Sequence, residues 1–138
     1  MNPKTAHAIK HRTLSNDSFT TPPQLAEALI MTIPLVPGDI VLDPALGSGS
    51  FFNSFPHFVN KQFCELKQGI DFEDWVEPVD WVITNPPYSK LDSFIRQACL
   101  VSRKGFAYLL GLHNITPRRI ELAEILGFGL TRIHICKV

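Results

Sequence analysis

The sequence predicts an α/β domain built on a mostly parallel, doubly wound sheet with helices on both faces. Short apolar blocks alternate with stretches of helical periodicity. The blocks are apolar throughout rather than at every second residue, as strands covered on both sides require. The first block also runs into a glycine-rich turn that opens a helix. A length of 138 residues holds one such domain, and 45% hydrophobic residues supply its core.

Residues 1–18 carry Lys4, His7, Lys10, His11 and Arg12 without strand or helix periodicity, so a flexible basic N-terminal arm is expected there, followed by a single domain over 19–138. Thr21, Pro22 and Pro23 predict a capped helix start with early prolines. Leu25, Ala28, Leu29 and Thr32 continue it at helical spacing, and Pro34 and Pro37-Gly38 stop it. Asp39–Asp43 is the first strand. Pro44–Ser50 is the glycine turn, and the helix through Phe51-Phe52 is cut short by Pro56. Gln62–Leu66 is expected as a second strand, Gly69–Phe72 as a brief third and Trp81–Thr84 as a fourth. Leu91, Phe94, Ile95, Ala98 and Cys99 define an amphipathic helix that Lys104-Gly105 should close. Phe106–Leu110 follows as a fifth strand, Pro117–Leu126 as a helix ended by Gly127, and Leu130–Val138 as a last strand.

Thirteen Lys plus Arg balance thirteen Asp plus Glu, so no whole-molecule field attracts nucleic acid and any such partner must meet a local basic surface. Cys64, Cys99 and Cys136 have no metal-type spacing and are expected to be reduced core residues, and no metal is expected. The N-terminus lacks the apolar run of a secretion signal and no stretch has the length of a membrane span, so a cytoplasmic protein without a membrane partner is expected.

Ligands of doubly wound sheets collect where the first strand meets its helix. Gly47 and Gly49 let the backbone bend there and approach a ligand closely, and Asp43 places a carboxylate beside them. The turn lacks the Lys-Ser/Thr of a phosphate-gripping loop, so a cationic or amine-bearing ligand is favoured over a phosphate. A tight turn serving only packing is the alternative. Glu65, at the end of the second strand, suits both hydroxyls of a ribose. Asp71 could take an adenine amino group with Phe72 stacked on the base, although Phe72 equally suits the core.

Asn85-Pro86-Pro87-Tyr88 is the most specific feature. Prolines lack an amide donor and push their predecessors into extended conformations, so the loop offers stiff carbonyls and a projecting ring. It is suited to a planar amine, with one N–H taken by the Asn85 side-chain oxygen, one by the Pro86 carbonyl, and Tyr88 stacked on the ring.

These segments resemble class I S-adenosylmethionine-dependent amino methyltransferases, most closely the DNA adenine-N6 type. Asp43-Pro44-Ala45-Leu46-Gly47-Ser48-Gly49-Ser50-Phe51 is similar to that family's methyl-donor loop and Asn85-Pro86-Pro87-Tyr88 to its catalytic tetrapeptide. Phe19-Thr20-Thr21-Pro22 resembles the segment that closes over the methionine end of the donor. Glutamine methyltransferases also carry such a tetrapeptide, but the upstream element and the wording of the glycine loop look like the nucleic-acid branch. The resemblance implies a Rossmann-like methyltransferase fold and S-adenosyl-L-methionine as cofactor. It further implies a flipped adenine of DNA as substrate, with transfer to RNA or protein glutamine, or donor binding without catalysis, as alternatives. Cytosine C5 chemistry needs a thiolate, conventionally after a proline, and none of the three cysteines follows one.

Two departures from the pattern stand out. Too few residues separate Glu65 from Asp71 to hold the helix usual there, and no segment after Tyr88 remains for target recognition. Unaided DNA binding is therefore expected to be weak, with Lys90, Arg96, Arg103-Lys104 and Arg118-Arg119 as candidate local contacts. Non-specific action, a separate recognition subunit and a decayed fragment are the ways to account for the missing segment, and a final strand stopping at Val138 is expected to leave an exposed edge that favours a homodimer or instability.

Overall fold

The computed structural model describes residues 20–136. The expected basic arm, Phe19 and the last two residues lie outside the described residues. Four parallel strands form the sheet in the order β2-β1-β3-β4: β1 (Ile40–Asp43), β2 (Asn60–Phe63), β3 (Val79–Thr84) and β4 (Ser102–Tyr108). The helices are α1 (Pro23–Ile30), α2 (Ser50–Ser54), α3 (Leu91–Val101) and α4 (Pro117–Ile125).

Burial on both faces explains the solid apolar strands. Val41 and Ile83 meet Ala26, Leu29 and Ile30 of α1 and Phe51 of α2, while their neighbours Leu42 and Val82 meet Phe94 and Ala98 of α3 on the other face. All four strand residues have no exposed surface, and burying each such side chain contributes roughly 1.5–3 kcal/mol. A third cluster joins α3, through Leu91, Ile95 and Cys99, to Leu122, Ala123 and Leu126 after β4. The doubly wound α/β expectation therefore holds.

Three local expectations are corrected. Gly69–Phe72 is not a strand: Ile70 makes only one isolated bridge, to Glu65, and Phe72–Asp74 is a single 3-10 turn. Residues 130–136 form no strand, and Leu130, Ile133 and Ile135 are exposed. Lys104 and Gly105 do not close α3 but lie inside β4, because the chain passes from Val101 directly into the strand. Gly105 is small for a different reason, since a Cβ there would sit 2.9 Å from the Trp81 ring.

The topology fixes where a ligand can bind. From β1 the chain leaves through α2 on one face, and from β3 it leaves through α3 on the other, while β1 and β3 lie side by side. Their diverging loops leave a crevice at the carboxyl ends of the two strands, which is the switch point of this class of sheet.

Candidate active site

That crevice contains a cavity of about 310 Å³, at the lower end of the volumes typical of small-molecule sites, roughly 300–1,000 Å³. The loop after β1 contributes Pro44, Ala45, Gly47 and Ser48 to its wall. The loop after β3 contributes Asn85 and Pro87. Glu65, Asp71 and Phe72 approach from the β2 side, and Thr21 from the segment preceding α1. The two loops singled out in the sequence thus face one cavity.

The glycine turn is held open by its own backbone. Gly47 and Gly49 have φ of 52° and 85°, the left-handed region that residues with a Cβ disfavour, and the Gly49 N–H donates to the Leu46 carbonyl at 2.8 Å. Gly49 caps α2 rather than lining the cavity. Pro22 is likewise set back. It is the N-cap of α1, and it lines a neighbouring, more open depression with Ser48, Ser50 and Asn53.

Asp43 is not presented to the cavity. It is 1% exposed, and Oδ1 accepts hydrogen bonds from the Ala45 N–H at 3.0 Å and the Thr84 hydroxyl at 2.6 Å. Burial pushes its carboxyl up to about 6, against the pull of those hydrogen bonds. In this structure the Asp43 carboxyl braces β1 against β3 from beneath the glycine turn.

Glu65 reaches over the glycine turn. Oε2 accepts from the Gly47 N–H and Oε1 from the Lys67 N–H, each at 3.2 Å. Asp71 accepts from the Glu73 N–H at 2.9 Å and caps the turn that follows. Phe72 is 1% exposed, and its ring meets Phe94 edge-on at 4.9 Å, so it forms the floor of the cavity from within the core.

On the opposite wall, Asn85 Nδ2 donates to Thr21 Oγ at 3.1 Å. Pro86 is buried and half-buried Tyr88 opens a single 3-10 turn, Tyr88–Lys90; neither Pro86 nor Tyr88 lines the cavity, whereas Lys90 at the end of that turn does. Sequence reasoning did not assign Leu66, Phe94 and Cys64 to the wall, gave Leu46, Ser50 and Phe51 only as part of the glycine-loop motif, and named Lys90 as a candidate nucleic-acid contact rather than a wall residue. Apolar wall residues carry no signal that separates them from core. The Cys64 thiol is pushed up to about 12 by burial and by the nearby Asp43 and Asp71 carboxylates, so it is held protonated and is a poor nucleophile.

A solved structure from Pyrococcus horikoshii, described as a proposed RNA methyltransferase, superimposes with a TM-score of 0.58 at 17% identity, covering 83% of this chain and 74% of that one. The likeness shows a shared Rossmann-like α/β fold. No family model matches the sequence, and no curated protein matches it. Among the described residues of this methyltransferase-like fold, no group of three or more His, Cys, Asp or Glu converges as a metal site would require, and no helix is long and apolar enough to cross a membrane.

Proposed function

We propose that this chain transfers a methyl group from S-adenosylmethionine to the exocyclic N6 amino group of adenine in DNA. The observation that carries this reading is that the glycine loop after β1 and Asn85 and Pro87 after β3 wall the same cavity. Its donor set suits the cofactor. A carboxylate has about four acceptor sites, so Glu65 keeps acceptors for a ribose diol after taking two backbone N–H groups. Leu46, Leu66 and Phe72 offer apolar surface for a purine, and Asp71 adds a second carboxylate. When bound, S-adenosylmethionine supplies a methyl group already activated on a sulfonium centre.

The remaining work falls to the chain's own residues. An adenine amino nitrogen is a weak nucleophile because its lone pair is delocalised into the ring. Asn85, accepting one of its hydrogens, draws the nitrogen toward a tetrahedral form. Pro86 and Pro87 keep that acceptor from shifting, so little reorganisation is needed when charge develops. Asn85 is not a base, and the surplus proton leaves to water. Positioning and hydrogen-bond electrostatics carry the transfer, and no covalent intermediate on Cys64 is needed.

A second reading, the same chemistry on RNA, is favoured by the description of the Pyrococcus protein as a proposed RNA methyltransferase. Incubation with tritiated methyl donor and unmethylated duplex DNA, structured RNA or protein separates the cases. Label in N6-methyladenine of DNA is expected. Label confined to RNA selects the second reading, label in protein amides moves the assignment to glutamine transfer, and no calorimetric binding of S-adenosylmethionine removes every methyltransferase reading.

A further inference from the structure

Thr21 is 4% exposed and is tied to both walls of the cavity. Its backbone carbonyl accepts the Ser50 hydroxyl at 2.5 Å, which fixes it to the start of α2 behind the glycine turn. Its own hydroxyl accepts from Asn85 Nδ2 at 3.1 Å, across 64 positions of sequence. A carboxamide is planar with donor and acceptor at opposite ends, and rotation by half a turn exchanges them. A residue that must present its oxygen to an amine therefore needs something to hold its nitrogen. Prolines at 86 and 87 stiffen the backbone but cannot choose between the two orientations of the side chain.

We propose that Thr21 is the positioning residue that sets the Asn85 carboxamide, oxygen toward the substrate amine, and that through Ser50 it links this orientation to the glycine loop. The inference rests on the methyl-transfer reading and assigns Thr21 a role toward the acceptor loop rather than toward the donor alone. Threonine suits the task because its hydroxyl takes the amide hydrogen in the observed arrangement while its backbone is fixed by the Ser50 hydroxyl. Valine keeps the shape of threonine and the backbone carbonyl that Ser50 uses, and lacks only the hydroxyl.

The test compares the wild-type chain, Thr21→Val and Thr21→Ser. In single-turnover methyl transfer at saturating donor and substrate, Thr21→Val should lose about tenfold in rate, the scale of one lost neutral hydrogen bond, and Thr21→Ser should recover most of it. Calorimetric affinity for S-adenosylmethionine should stay within about twofold in both variants. An unchanged rate in Thr21→Val, a weakened donor affinity with the saturated rate intact, or no recovery with serine overturns the proposal. A second readout does not depend on catalysis. The Asn85 side-chain amide protons, followed by 15N NMR, should exchange slowly with solvent in wild type and in Thr21→Ser, and rapidly in Thr21→Val. Equal exchange in all three proteins refutes the orientation claim whatever the substrate proves to be, whereas slow exchange in a chain that transfers no methyl group refutes only the proposed function.

Discussion

The Thr84 hydroxyl donates to Asp43 Oδ1 across 2.6 Å, and that bond ties the strand leading into the glycine loop to the strand leading into Asn85. Both groups are buried, so this polar contact adds to the backbone ladder of β1 and β3 from which the two cavity walls emerge. Burial raises the Asp43 carboxyl from 3.8 to about 6. The folded state therefore binds more protons than the unfolded chain between those values, and stability falls as pH rises through that window. A displacement of that size corresponds to roughly 3 kcal/mol once the pH exceeds the folded value. Thr84→Val removes a donor that favours the charged form. It should cost about 1–3 kcal/mol, more at pH 8 than at pH 5. Urea unfolding at the two pH values measures this, and a pH-independent loss contradicts it.

Asp39 carries the opposite sign. It is 4% exposed, and burial alone would raise its carboxyl, but the Lys104 ammonium at 2.6 Å and the Val36 N–H at 3.0 Å outweigh burial and hold it below 3.8. The stability it contributes is present above that value and is lost as pH falls through the folded one. Lys104→Met strands the carboxylate. The loss at pH 7 should be about 1 kcal/mol, because the lysine is 41% exposed and solvent screens the pair. Below pH 3.8 the difference between variant and wild type should narrow as Asp39 is neutralised, and a gap that stays constant into acid would assign Lys104 a packing role instead.

Where neighbours in sequence are also neighbours in space, the fold was legible. Val41-Leu42 and Val82-Ile83 are apolar because both faces of the sheet are covered, and the loops that follow them must emerge at the same rim. The errors lie where a distant partner decides. Ile70 has strand composition but finds only one bridge, with Glu65, so no ladder forms. Gly105 has the form of a helix stop, yet its smallness serves the Trp81 ring on the adjacent strand. Asp43 suggests a ligand contact until Thr84, 41 positions away, covers it, and Thr21 suggests a helix cap until Asn85 takes its hydroxyl.

Gly105→Ala tests that account of β4. The added methyl would stand 2.9 Å from Trp81 Cζ3, a contact that neither a strand backbone nor an indole packed in the core relieves cheaply. A destabilisation of about 1–3 kcal/mol is expected, seen as a lower Tm and altered tryptophan emission. Donor affinity of the folded protein should not change, because Gly105 lies outside the cavity wall. An unaltered Tm would show that the sheet has slack at this point.

Asn85→Ala separates chemistry from binding. Asn85 shares the cavity wall with the glycine loop but would act on the amine rather than on the cofactor. Methyl transfer should fall by about 10²-fold or more, the scale of losing one preorganised polar contact, with S-adenosylmethionine affinity nearly intact. A retained rate would reduce the Asn85 loop to a structural turn.

Lys90 supplies the last prediction. It is the one basic residue among the described residues that line the cavity, and among the described residues it forms no ion pair. Arg119 differs, with Nε on Asp92 at 2.8 Å and Nη1 on the Asn114 carbonyl at 3.0 Å, so its charge is committed within the protein. On the proposed nucleic-acid reading, a chain with no net charge must draw its affinity from such uncommitted cations. If Lys90 neutralises one phosphate beside the target base, Lys90→Gln should reduce the slope of log affinity against log salt by about 0.9 on duplex DNA or about 0.7 on a single strand. Arg119→Gln should leave that slope unchanged while lowering Tm. Filter binding across a salt series reads both effects. An unchanged slope for Lys90→Gln would remove it from the nucleic-acid surface, whereas weakened calorimetric binding of S-adenosylmethionine with the slope intact would place its charge on the methyl donor.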